Sequence, residues 1–290
     1  MRKISIHGPR STIHGLLRGG GFTLIEMIVV IVITGIVASA VAVFIKRPVE
    51  GYVDAARRAE LTDVADTALR RMTRDLRTAL PNSIRVDGSG RYIEFLQTSG
   101  GGRYRVEKES DGITGNILDF TAPDTSFDVI GALPAISPGD SIVVYNLNSD
   151  ATITTANAYF GDNRGTDASG AVSTVSFTAP APGGTPSPFP FASPGKRFHV
   201  VQYPVTYHCD LGTGRLRRYW GYTSELAQPT VTLPLDGNSA LLATNVTDCG
   251  FTYATDGANA RTGVVALTLQ IEQSEEKVRL FQQVHVSNVP

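Results

Sequence analysis

Residues 20–45 read GGFTLIEMIVVIVITGIVASAVAVFI. From Phe22 to Ile45 the run is apolar, with one charged residue, Glu26, near its start. As a helix it spans about 36 Å, enough to cross a hydrocarbon core of roughly 30 Å. Residues 1–21 hold Arg2, Lys3, Arg10 and Arg18, no acidic residue, and end in Gly19-Gly20-Gly21. Positive charge ahead of an apolar run keeps that end cytoplasmic and sends the C-terminal side out. Lys46 and Arg47 on the far side oppose this, but with less charge.

Glu26 is the unusual feature, because an ionised side chain in a membrane helix costs about 2.5–3.5 kcal/mol on insertion scales and usually has a partner. A secretory signal peptide predicts a shorter apolar core followed by a small-residue cleavage site. Here the small, flexible site precedes the core, so a cut there would leave the helix attached. An uncleaved anchor is the other alternative, and neither accounts for Glu26. Cleavage between Gly21 and Phe22 does, since it creates an α-amino group four residues before Glu26, on the same helix face. In an assembly, that amine could instead meet the Glu26 of a neighbouring subunit, where a paired charge fixes register.

The string Gly21-Phe22-Thr23-Leu24-Ile25-Glu26, followed by a long apolar helix, resembles the class III signal of type IV prepilins and type II secretion pseudopilins. The resemblance implies that prepilin peptidase cuts after Gly21 at the cytoplasmic face of the inner membrane and methylates Phe22. It makes Glu26 the assembly and methylation carboxylate. It implies bacterial inner-membrane insertion as a single-pass protein with a periplasmic C-terminal domain, followed by passage to a pilus at the cell surface. The implied partners are other major and minor pilins, through the N-terminal helix, and an inner-membrane assembly platform with its motor ATPase. Further along, RPVEGYVDAARRAEL, ALRRMTRDLRTALPNSIRV, SIVVYNL and QVHVSNVP resemble minor pilins of the mannose-sensitive haemagglutinin (MSHA) type IV pilus system.

The fold class expected is therefore α+β and type IV pilin-like: a long N-terminal transmembrane and amphipathic helix packed on a C-terminal antiparallel β domain. Its parts are a cleaved leader at 1–21, a transmembrane helix at 22–45, an amphipathic continuation at 46–80 and a globular domain at 84–290. In the continuation Leu61, Val64, Ala68, Leu69, Met72, Leu76, Ala79 and Leu80 recur at helical spacing, with charged residues between them. Pro48 and Gly51 invite a kink, and Pro81-Asn82 supplies the stop. The arginines of RRMTRDLR read as a solvated face rather than a phosphate site.

Beyond residue 84 the pattern turns to short alternating runs. Arg91–Gln97 and Arg103–Lys108 read as a hairpin around TSGGG. Further strands are expected at Ile117–Phe120, Ser126–Ile130, Ser141–Asn146, Phe198–Tyr207, Arg215–Tyr222 and Gly250–Tyr253. Gly263–Ile271 and Lys277–Val286 form the clearest pair, joined at 273–276. Residues 148–196, rich in Thr, Ser, Pro and Gly, suggest a long exposed loop with a strand near Ala171–Thr178. Within it Phe189 and Phe191 are either a docking point or an anchor of the loop to its own domain.

The two cysteines, Cys209 and Cys249, lack metal-site spacing, and in an exported domain they suggest one structural disulfide. There is no G-x-S-x-G elbow, phosphate loop, H-E-x-x-H or Cys/His cluster, so no catalytic, metal or cofactor site is expected. Removing the four basic residues of the leader takes the formal charge from −1 to −5, which disfavours nucleic acid as a partner. Two other roles fit the same organisation: a minor pseudopilin of type II secretion, and a membrane-anchored adhesion module whose β domain binds a surface ligand.

Overall fold

In the computed structural model, residues 21–230, 237–255 and 261–290 are described, apart from the side chains of residues 46 and 47. One long apolar N-terminal helix is followed by an antiparallel β domain, an α+β arrangement consistent with pilin-like architecture. The chain falls into two compact units, one ending at Asp54 and one beginning at Ala55, and helix α1 (Leu24–Leu76) contributes to both. Pro48 lies inside that helix.

Within the second unit, Leu61, Ala65, Ala68, Leu69, Met72 and Leu76 are buried at three- and four-residue steps, so one stripe of α1 faces the domain core. The helix ends at Leu76, four residues short of the Leu80 expected from the pattern. Thr78 and Ala79 turn back onto the carbonyls of Asp75 and Leu76. The chain then joins a strand edge: Leu80 N–H donates to the Leu96 carbonyl at 2.8 Å, and Thr98 N–H donates to the Thr78 carbonyl at 2.9 Å. Tertiary pairing captures these backbone groups before Pro81 is reached.

Nine strands form the larger sheet: β1 (Arg85–Val86), β2 (Tyr92–Tyr104), β3 (Ser126–Ile130), β4 (Ser141–Val144), β5 (Arg164–Ala171), β6 (Thr174–Thr178), β7 (Arg197–Asp210), β8 (Arg215–Trp220) and β9 (Asn238–Ala243). The long strand β7 is its axis. Along one edge β7 pairs with β2; along the other it pairs first with β4 and then with β8. Because β2 also reaches β3, the succession β2–β3–β6–β5–β4–β7 returns to β2 and closes into a small barrel. Tyr104, Phe127, Phe177, Phe189 and Phe198 fill it, with Phe127 and Phe198 edge-on at 5.0 Å.

Three expectations change here. The hairpin around TSGGG is instead the single strand β2. A Cβ on Gly101 would lie 2.6 Å from the Phe198 carbonyl oxygen, and one on Gly102 would lie 2.9 Å from the Phe198 ring. Those glycines admit the close approach of β7, with register shifts at Gln97–Gly100 taking up the curvature. Residues 148–196 are not one exposed loop: they contain β5 and β6, and Phe189 is buried in the barrel while Phe191 stays exposed. Ile117–Phe120 forms no strand.

The second sheet is β10 (Val246–Thr255), β11 (Thr262–Gln273) and β12 (Glu276–Ser287) in that order. Val265, Leu267, Leu269 and Ile271 alternate inward and share a core with the α1 stripe and with Phe95, Val205 and Tyr207. Ser274 and Glu275, both at positive φ, make the two-residue turn between β11 and β12.

Candidate functional site

The N-terminal segment carries the strongest functional signal, and its local structure follows from four residues. Residues 21–23 are non-helical and exposed, and α1 starts at Leu24. Thr23 is the cap: its Oγ1 accepts the Glu26 N–H at 3.3 Å, and its carbonyl accepts the Met27 N–H at 3.2 Å. Glu26 is thus the acidic member of a Thr-x-x-Glu pattern in the first turn, where the helix dipole favours negative charge. That is a second reason for a carboxylate at this position, legible in the sequence beside the pairing argument.

The Gly21–Phe22 bond therefore lies in exposed, non-helical chain just before the Thr23 cap. Among the described residues, its chain neighbours aside, no heavy atom lies within 4 Å of a Cβ built on Gly21, and its φ is not of the left-handed kind. Nothing in the fold asks for glycine there.

Beyond the cap, α1 is apolar and exposed on all sides through Ile45: Leu24, Ile25, Ile28, Ile31, Ile36 and Phe44 all lie open. The segment is long and apolar enough to cross a membrane, and none of it is buried within the chain. Its polar side chains cover themselves, Ser39 Oγ donating to the Ile36 carbonyl at 2.8 Å and Thr34 Oγ1 to that of Ile31 at 3.1 Å. A helix apolar all round belongs among lipid tails or other helices.

In the β domain, Cys209 on β7 and Cys249 on β10 form a disulfide with their Cα atoms 6.6 Å apart, tying the two sheets together. Two buried ion clusters flank β7. Asp75, in the last turn of α1, accepts from Arg218 Nε at 2.7 Å and from the Tyr207 hydroxyl at 2.8 Å. Glu94 accepts from Arg85 Nε at 2.7 Å and from the Tyr222 hydroxyl at 2.8 Å. Both clusters lock elements together, and sequence reading missed them because strand pairing and partners more than a hundred residues away, Tyr207, Arg218 and Tyr222, complete them.

The histidines do not converge. His208 stacks on Tyr92 at 4.1 Å, and burial lowers its pKa. His199 is pushed down to about 4, chiefly by burial and then by Arg197. Among the described residues no group of three or more His, Cys, Asp or Glu is placed to hold a metal.

Residues 18–42 match the prokaryotic N-terminal methylation motif. No curated protein and no solved structure matches the chain. The motif supports a type IV pilin-like prepilin. It implies processing by prepilin peptidase and membrane pilus assembly, fits inner-membrane anchoring together with the apolar helix, and points to a structural rather than an enzymatic protein.

Proposed function

We propose that the chain is a minor pilin of an MSHA-type type IV pilus, resembling the MSHA biogenesis protein MshO, and acts in a tip or assembly-priming complex. Prepilin peptidase cuts between Gly21 and Phe22 and methylates Phe22. The membrane is then a holding site, with the β domain in the periplasm, until the assembly platform draws the subunit into a bundle of pilin helices at the cell surface. There Glu26 meets the positive N-terminus of a neighbouring subunit.

The methylation motif over residues 18–42, set on a helix that is apolar on every side, supports the prepilin part of this reading, and the sequence resemblance of the later stretches supports the MSHA-type part. Gly21 adds support, because packing gives no reason for glycine at the cut. The same motif serves minor pseudopilins of type II secretion, which is the second reading.

The test is Glu26→Ala in cells that make the pilus. The variant should still insert in the membrane but lose methylation or incorporation into sheared pili. Normal incorporation and piliation would overturn the assembly role of Glu26. Incorporation of the unsubstituted chain into a secretion pseudopilus in place of the pilus would favour the second reading.

A further inference from the structure

Strand β7 changes partner midway. Ser141 of β4 pairs with Val201, and the next partner on that edge is Trp220 of β8, opposite Val205. Residues 202–204 lie between the two. The sheet opens at this handover into a cleft of about 590 Å³, walled by β4, β5 and the turn after β8.

Arg164, the first residue of β5, lines that cleft. Its Nη1 donates to the Ser224 hydroxyl, while its Nε is buried without a hydrogen-bond partner. Among the described residues no carboxylate lies within ion-pairing distance of the guanidinium. The two acids that share the cleft, Asp140 and Asp167, do not pair with it: Asp140 accepts the Ser137 N–H at 2.8 Å, and Asp167 accepts from Thr166 Oγ1 at 3.4 Å.

The contrast with the neighbouring core is sharp. Arg85 and Arg218 are buried outright, Arg164 only in part, yet each of the first two holds a carboxylate at 2.7 Å, Glu94 and Asp75. A desolvated cation without a counter-charge is costly, and folds normally supply one. Burial lowers the Arg164 pKa, with only Tyr159 opposing it. The guanidinium fork matches carboxylate and phosphate oxygens. The rest of the wall offers hydroxyl and amide groups from Ser137, Ser141, Thr166 and Gln202.

We propose that this cleft binds an oxyanion carried on a small hydroxyl-bearing molecule, with the half-buried Arg164 as its counter-ion and Ser224 orienting the guanidinium. The inference does not depend on the pilin reading.

The test is thermal unfolding of the full-length chain in nonionic detergent, at fixed ionic strength in chloride, with sodium phosphate, sodium glucuronate or glucose added. A ligand that binds only the folded state raises the midpoint saturably. Phosphate or glucuronate should do so and glucose should not; which anion acts identifies a phosphoryl or a carboxylate ligand. Arg164→Met should abolish the rise. Ser224→Glu, which tethers a carboxylate beside the Arg164 fork, should keep the fold and abolish the rise as well. No saturable rise with either anion would overturn the proposal. So would a rise in Arg164→Met or in Ser224→Glu equal to that of the unsubstituted chain.

Discussion

Asp75→Ala tests what joins the helix to the sheet. The Asp75 side chain is 8% exposed and that of Arg218 7%. The carboxylate holds Arg218 from β8, the Tyr207 hydroxyl from β7 and, at 3.2 Å, Arg71 from the preceding turn of its own helix. Removing it leaves the Arg218 guanidinium beneath the Trp220 ring, 4.6 Å from the centroid, without a counter-charge. Breaking a buried pair by deleting one partner costs about 3–5 kcal/mol, whereas replacing both partners by apolar residues of similar volume is often neutral or stabilising. Asp75→Ala should therefore destabilise by about 3–5 kcal/mol, and Asp75→Leu with Arg218→Met by far less, a coupling of about 2 kcal/mol or more. The assay is urea unfolding of the full-length chain in detergent, followed by circular dichroism and by the fluorescence of Trp220, the chain's one tryptophan. A loss below about 1 kcal/mol, typical of exposed ion pairs, would refute the reasoning. So would additive effects of the two substitutions.

Three further outcomes follow from the same structure. Cys209→Ser with Cys249→Ser opens a link between residues 40 apart; the chain-entropy model puts the loss near 4 kcal/mol, read as a lower urea midpoint equal to that of the reduced unsubstituted protein. His199 titrates near 6.5 when unfolded and is held down to about 4 in the fold, so the unfolded chain binds the extra proton between those values. Its contribution is present above about pH 6.5 and is lost as pH falls towards 4, and His199→Asn should flatten that part of the stability–pH curve. Gly21→Leu should leave the unfolding midpoint unchanged, since the site is open, while a processing assay with prepilin peptidase shows loss of cleavage.

The parts of the fold legible in the sequence are those whose cause is local. Phe22–Ile45 is overwhelmingly apolar and carries no charge except at Glu26, and that separates a membrane-length helix from the amphipathic stretch after Pro48. The alternation of Val265, Leu267, Leu269 and Ile271 gives the strand and its buried face. Elsewhere the cause lies across the chain. Helical spacing continues to Leu80, but pairing of Leu80 with Leu96 ends the helix earlier. TSGGG reads as a turn because glycine favours turns, and the actual demand, room for Phe198, comes from about a hundred residues away. Asp75 looks like one more charge on a solvated face until Tyr207 and Arg218 arrive, 132 and 143 residues on. Of the candidate site, the cleavage string and the Thr23-x-x-Glu26 cap both lie in contiguous residues. The uncompensated Arg164 does not: its strand falls in a stretch whose composition suggests a loop.

If the chain is a prepilin, the N-terminus of the membrane-extracted protein will show it. Intact-mass and peptide analysis would be made on protein from cells with and without prepilin peptidase. A prepilin would give a chain beginning at N-methylated Phe22 only when the peptidase is present. A chain still beginning at Met1 in its presence, or one cut after Ile45, would contradict the prepilin reading.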